Sequence, residues 1–283
     1  MPRYKGPTII GIGAQKCAST WVHSALGAHP QIEVSTPKEI DFFSYYFDRG
    51  YNWYESHFSA ASKQPVRFEA SPSYFHDPRA PQRVFEYNPS MKILLMLRDP
   101  IERAYSNHLH EIIKGHIGNT SFASGLLNNP SYVEQGLYAT HLSRWLSVFP
   151  RDQILVLFAE NLKPNPERTA RQVYSFAGVD SNFTSRVLSE RRNESDRAKS
   201  SAFRTVTRCG GALLRKLGKE ENLAKLKSIS VVSRALTANS RNMRNEVESI
   251  DAETMAKLNS IFKPEMKELL EILEMESLPW KVE

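Results

Sequence analysis

Apolar residues in this chain fall into two patterns. Thr8-Ile-Ile-Gly-Ile-Gly13, Met91-Lys-Ile-Leu-Leu-Met-Leu97 and Gln153-Ile-Leu-Val-Leu-Phe158 are short and nearly continuous runs, and Val66-Arg-Phe-Glu-Ala70, stopped by Ser71-Pro72, is a further short strand-like segment. That pattern predicts strands buried on both faces. Between them the spacing is helical. A helix is predicted over 19–28, ended by His29-Pro30, and another over 131–148, with Leu137, His141, Trp145 and Val148 on one stripe. A third runs from Pro164 to about Gly178, and a fourth from Ala252 to Leu273, with a break or kink expected at Pro264. Residues 37–58 carry nine aromatic side chains and read as a packed, partly irregular segment. Strands that alternate with helices predict an α/β fold, a P-loop-like central parallel sheet with helices on both faces, in a single domain over residues 1–283.

Composition adds bounds. At 283 residues, 41% hydrophobic and 24% charged, the chain suits one large globular domain. No apolar run is long enough to cross a bilayer. Met1 to Pro7 has no apolar core of a secretory leader, and two cysteines make no disulfide framework, so a reducing cytoplasm is expected. No clustered Cys/His spacing suggests a metal site. The net charge of +6 is uneven: residues 191–244 hold fourteen Lys/Arg against four Asp/Glu. This basic stretch reads as an insertion or lid. It either attracts phosphate, sulfate, acidic sugar or anionic lipid, or is a solvated helical face. A nucleic-acid partner is not expected.

The turn after the first strand, Gly11-Ile-Gly-Ala-Gln-Lys-Cys-Ala-Ser-Thr-Trp21, stands where a helix N-terminus would receive an anion. Lys16 adds a mobile cation, and Ser19 and Thr20 add hydroxyls. It is not a Walker A loop, because Gln15 precedes the lysine and Cys17 follows it. The hydroxyl that would serve Mg²⁺ is displaced, which argues against nucleoside triphosphate chemistry. Sulfuryl transfer fits better, because a lysine and backbone donors stabilise its lower charge without a metal.

At these residues the chain resembles the sulfotransferases that use 3′-phosphoadenosine 5′-phosphosulfate (PAPS). Gln15-Lys16-Cys17-Ala18-Ser19-Thr20-Trp21 is similar to their phosphate loop, with Ala18 in place of its glycine. Leu97-Arg98-Asp99-Pro100 followed by Ser106 is similar to their 3′-phosphate motif. Pro37-Lys38-Glu39-Ile40-Asp41-Phe42-Phe43 resembles the Lys-Glu-x-x-Phe-Phe segment of the heparan sulfate branch, whose glutamate takes the acceptor proton. Phe68-Glu69-Ala70-Ser71-Pro72-Ser73-Tyr74-Phe75 is similar to a segment that usually carries a lysine at position 70. Gly136 to Leu146 and Leu278-Pro279-Trp280 also match. The resemblance covers about residues 8–190 and 250–280, weakly between.

The resemblance implies a donor site of Gln15, Lys16, Cys17, Ala18, Ser19, Thr20, Trp21, Arg98 and Ser106, with Arg197, Lys199 and Ser200 from a basic loop over the 3′-phosphate. Trp21 either stacks on adenine or belongs to the core. The implied catalytic set is Lys16, Glu39 as base, Lys38 beside it, and His141. His141 is either a substrate contact or a buried, hydrogen-bonded histidine. The expected function is transfer of a sulfuryl group from PAPS, leaving 3′-phosphoadenosine 5′-phosphate (PAP), to a hydroxyl or amine of a saccharide or glycolipid, with no metal required. A P-loop kinase of a sugar or metabolite, and a non-catalytic nucleotide- or polyanion-binding protein, are the alternatives.

Overall fold

The computed structural model describes residues 5–189, 196–198, 240–242 and 247–280. Five strands form one parallel sheet: β1 (Ile9–Gly13), β2 (Ile32–Val34), β3 (Val66–Ala70), β4 (Lys92–Leu97) and β5 (Ile154–Phe158). Their order across the sheet is β2-β3-β1-β4-β5. Ile9 pairs with Phe68 on one side and with Lys92 on the other. All five residues of β1 and the last five of β4 are buried, so both faces of the sheet are covered, as near-continuous apolar strands require. The edge strand β2 was not expected. It is three residues long and follows directly from the turn at His29-Pro30.

Helices link the strands: α1 (Ser19–Ala28), α2 (Gly50–Glu55), α3 (Ala80–Tyr87), α4 (Pro100–Lys114), α5 (Phe122–Asn128), α6 (Ser131–Glu134), α7 (Tyr138–Leu146) and α8 (Pro166–Ala177). Pro100 opens α4, and the Asp99 carboxylate accepts the amides of Ile101 and Glu102 at 2.8 and 3.0 Å. The helix expected over 131–148 is two helices. Gly136 at the break lies where a Cβ would fall 2.7 Å from the Phe262 ring, so that approach needs glycine. The two short strands β6 (Asp196–Ala198) and β7 (Ser240–Asn242) pair antiparallel. The last helix, α9 (Ala252–Leu273), runs unbroken through Pro264. Leu258 and Phe262 before the proline and Met266 and Leu269 after it are all buried, and this packing carries the helix across the missing amide.

The chain divides into two compact units. One comprises residues 1–108, 122–192 and 250–283 and contains the five-stranded sheet; the other comprises 109–121 and 193–249 and contains β6 and β7. The sheet changes direction of growth at β1: the chain first builds toward β3 and β2, then crosses to β4 and β5. The crevice beyond the carboxyl ends of β1 and β4 is therefore the switch point where parallel α/β sheets bind ligands.

Candidate active site

Each of the first four strands delivers a segment of the site from its carboxyl end. After β1, the loop 14–18 turns sharply into α1. Gly13 has φ 152, and a Cβ there would sit 2.8 Å from the Phe75 Cβ, so the loop can leave the sheet only from glycine. Ala18 is the N-cap of α1, at φ 65 and ψ 23, with no side-chain cap and no acidic residue in the first turn. The helix thus presents its positive end to the loop without a competing anion.

Ala18 holds a left-handed conformation that costs an L-residue about 1–2 kcal/mol, while glycine there loses about 0.5–1 kcal/mol through its freer unfolded chain. Ala18→Gly should therefore keep or raise stability, by up to about 1 kcal/mol, in urea unfolding.

The segment after β2 brings the second lysine to this loop. Lys38 Nζ donates to Ser19 Oγ at 3.2 Å and to Thr20 Oγ1 at 3.3 Å, and it pairs with Glu39 Oε1 at 2.5 Å. The Glu39 side chain remains 46% exposed and Lys38 only 22%. A carboxylate open to solvent thus stands beside the phosphate loop. Lys16, Ala18, Glu39 and Asp41 are four of the five non-glycine residues with positive φ among the described residues. Backbone strain is collected here, as it is at functional sites.

The segment around Glu39 is held by the end of β3 and the turn after it. Glu69 is fully buried, and its Oε1 accepts the Ile40 amide at 3.4 Å and the Ser71 hydroxyl. Ser71 Oγ accepts the Asp41 amide at 2.8 Å, and the Tyr74 hydroxyl accepts the Phe42 amide at 2.9 Å. Ser73 Oγ donates to Asp41 Oδ1 at 2.5 Å. Burial, and secondarily the charge of Glu39, raise the Asp41 carboxyl above its ordinary range. His23, one turn beyond Ser19, is held neutral by burial and by the charge of Lys38. Neither Asp41 nor His23 was assigned a role from sequence. The spacing of Ser19 and His23 on one helix face was the available signal for the second.

Burial pushes the Glu69 carboxyl up to about 8, outweighing its hydrogen-bond donors. Folded Glu69 keeps its proton where the unfolded chain has lost it, so it makes stability fall as pH rises from about 4.5 to about 8. Glu69→Gln should remove this slope, at most about 1.4 kcal/mol per pH unit. Urea midpoints of the two proteins across that window check it, with the variant gaining on the wild type as pH rises.

After β4, Arg98 reaches Glu102 Oε2 at 2.8 Å, and Ser106 follows one turn further along α4, largely buried. The Arg98 carbonyl accepts the Tyr138 hydroxyl at 2.9 Å, and that hydroxyl lies 3.9 Å from Cys17 Sγ. Behind them Arg103 is 0% exposed, with its guanidinium on the Tyr132 carbonyl and on Gln135 Oε1 at 3.2 Å. It places a buried positive charge behind the anion site.

Several expected contacts take other places. Cys17 is buried, its amide bonds the Ala14 carbonyl at 3.2 Å, and burial pushes its thiol up to about 12. It closes the loop from inside rather than offering a side chain to a ligand. Trp21 is 8% exposed and donates Nε1–H to the Leu188 carbonyl at 3.0 Å, which makes it a core tryptophan in this state. His141 is buried with Nε2 2.7 Å from the Glu134 carbonyl, and burial holds it neutral, down to about 4. Its ring stands beside those of Phe75 and His76, so in this structure it is a buried, hydrogen-bonded histidine. Gln15 is half-buried in the loop. The side chain of Arg197, and Lys199 and Ser200 altogether, lie outside the described residues.

The model of the family described as "Sulfotransferase domain" matches residues 7–216. Bifunctional heparan sulfate N-deacetylase/N-sulfotransferase 1 of Mus musculus is 33% identical over 198 residues, 62% of this chain and 22% of its own length. The human enzyme numbered 2 of that series is 31% identical over 195 residues, 61% of this chain and 22% of its own length. The chain thus aligns with less than a quarter of the length of these relatives. A sulfotransferase from Alicyclobacillus acidocaldarius has the same fold, with a TM-score of 0.70 at 21% identity over 96% of this chain and 97% of that one.

Proposed function

The chain belongs to the sulfotransferase domain family; from that premise we propose that it is a sulfotransferase that takes its sulfuryl group from PAPS and delivers it to a hydroxyl or amine of a saccharide. One observation carries this reading. The Lys38–Glu39 pair docks on the hydroxyls of the phosphate loop, at the switch-point crevice that Arg98 flanks from the other side.

The residues fit such a donor. The N-terminus of α1, with Ser19 and Thr20, suits the 5′-phosphate. Arg98, released from Glu102, suits a 3′-phosphate, with Ser106 on the same face of α4. Lys16 neutralises charge that develops on the transferring group and the bridging oxygen. Lys38 supports that role from the opposite loop. It supplies the second lysine that Ala70, buried at the end of β3, does not. Glu39 takes the proton as the acceptor oxygen or nitrogen bonds sulfur and the sulfur–oxygen bond to the 5′-phosphate breaks. No group of three or more His, Cys, Asp or Glu side chains that could hold a metal occurs among the described residues. Arg197, Lys199 and Ser200 remain proposed contacts to the 3′-phosphate.

The saccharide is suggested by the heparan sulfate relatives and by the aromatic stretch. Phe42, Phe43 and Tyr54 fill the core, but Tyr45 is 63% exposed and Tyr46 42%. Both amides are pinned to the Asp41 carbonyl, at 2.9 and 3.2 Å, and Arg49 lies 4.8 Å over the Tyr46 ring. Rigid, amphipathic rings fixed near the base suit a pyranose face.

Label transfer tests the reading. Sulfur-35 PAPS incubated with an N-unsubstituted glucuronate–glucosamine oligosaccharide should label the saccharide; label that stays in the donor with this and with neutral saccharides contradicts it. Tyr45→Ala should raise the acceptor KM about tenfold, equivalent to about 1.4 kcal/mol of stacking, and leave PAP affinity unchanged.

A further inference from the structure

Three successive backbone amides follow Glu39, and each of them donates to a side chain rather than to a strand's backbone. Ile40 donates to Glu69 Oε1 at 3.4 Å, Asp41 to Ser71 Oγ at 2.8 Å and Phe42 to the Tyr74 hydroxyl at 2.9 Å. All three acceptors are side chains of one short segment, the end of β3 and the turn over Pro72–Tyr74. The acceptors are themselves fixed. Ser71 Oγ donates to Glu69, Tyr54 OH reaches Glu69 Oε2 at 3.4 Å, and the Tyr74 amide bonds the Ser71 carbonyl at 3.1 Å. Glu69, Ser71 and Tyr74 are all fully buried. Buried hydroxyls and a buried carboxyl with such defined partners are costly to a core unless they organise something.

What they organise is the backbone of the base. Glu39 and Asp41 stand at φ 64 and φ 55, conformations an L-residue leaves unless its neighbours hold it. The Asp41 side chain is tied in as well, through Ser73, whose hydroxyl also meets Ser44 Oγ at 2.7 Å. We propose that Glu69, Ser71 and Tyr74 are positioning residues for sulfuryl transfer: together they form a side-chain template that clamps the three amides after Glu39 and holds its carboxylate facing the phosphate loop. The inference rests on Glu39 as the base. In it the segment after β3, which lacks a lysine at position 70, serves the reaction by geometry. Ser71 is the centre of the template, because it accepts from the loop and donates to Glu69 through one oxygen.

The test uses Ser71→Ala and Tyr74→Phe, with Ser71→Thr as the variant that keeps the hydroxyl. Hydrogen exchange is read at the amides of Ile40, Asp41 and Phe42. PAP affinity is read by calorimetry, and kcat and KM with PAPS and the N-unsubstituted glucuronate–glucosamine oligosaccharide. Expected are faster exchange at those amides, kcat lower by about 10–100-fold from a misplaced base, PAP affinity within about twofold of wild type, and recovery of most of kcat in Ser71→Thr. Unchanged kcat in both deletions, or PAP affinity falling in step with kcat, would overturn the proposal. Should the wild type fail to label that oligosaccharide, the functional reading falls by itself. The template is then decided by exchange alone, and amides as protected in Ser71→Ala as in wild type sink it.

Discussion

Replacing Lys16 by alanine lowers kcat for sulfuryl transfer by about 10²–10³-fold, the usual effect of removing one donor aimed at developing charge. The size follows from the site. The loop turns at a left-handed Lys16 and Ala18 into a helix start that has no acidic first-turn residue. In the proposed mechanism the helix end and hydroxyls contact the ground-state phosphate, whereas the lysine meets charge that grows only as the sulfur–oxygen bond breaks. Its loss therefore falls on kcat, and PAP affinity drops by less than about tenfold. Lys16→Arg retains charge in a larger planar group whose fork does not reproduce the lysine's point charge, and should recover little. Single-turnover rates with saturating PAPS, beside PAP titrations, separate the two effects.

Glu39→Gln has the second large effect, a fall in kcat of about 10²–10⁴-fold. The amide has nearly the shape of the carboxylate and keeps a hydrogen-bond acceptor for Lys38, but it cannot take a proton at neutral pH. The Lys38–Glu39 pair is exposed on the glutamate side, so its loss changes stability by less than about 1 kcal/mol. PAP affinity should change little, because in the proposed mechanism Glu39 acts on the acceptor and makes no bond to the nucleotide. A variant with full PAP affinity, a wild-type melting curve and little turnover marks Glu39 as the base. Unchanged turnover would remove it from that role and leave Asp41, two residues on, as the carboxylate to test.

β1, β4 and β5 were readable because they are apolar almost throughout, which is what burial on both faces demands, and β3, which carries Arg67 and Glu69, because Ser71-Pro72 ends it. β2 was hidden because Ile32–Val34 is too short for any period to show and contains Glu33. The break at Gln135-Gly136-Leu137 was hidden for the opposite reason: the apolar stripe continues in register across it, and only the approach of Phe262 to Gly136 reveals the turn. Pro264 does not end the helix, because buried contacts on both of its sides carry α9 past it. In the site, Lys16 stood out by its residue type in the turn after β1, whereas Lys38, Glu39 and Arg98 were picked out by motifs that resemble the family's. The template of Glu69, Ser71 and Tyr74 was not. A buried glutamate and an exposed one look alike in sequence, and left-handed backbone at Glu39 and Asp41 leaves no trace when no glycine marks it. Arg103 is the same case: its neighbours Glu102 and Ser106 suggest a surface helix, yet it is fully buried. Trp21, His141 and Cys17 carry chemistry by type, and their burial in this structure was not legible from that type.

Calorimetric titration with PAP, set against 5′-AMP and repeated with Arg98→Ala, tests the donor site most directly. PAP should bind about 10–100-fold more tightly than 5′-AMP, which corresponds to about 1.5–3 kcal/mol for charge-assisted bonds to the 3′-phosphate. The Arg98 variant should bind the two nucleotides alike. Equal affinity of the wild type for PAP and 5′-AMP, or a preference for PAP that survives loss of Arg98, would contradict the site described above.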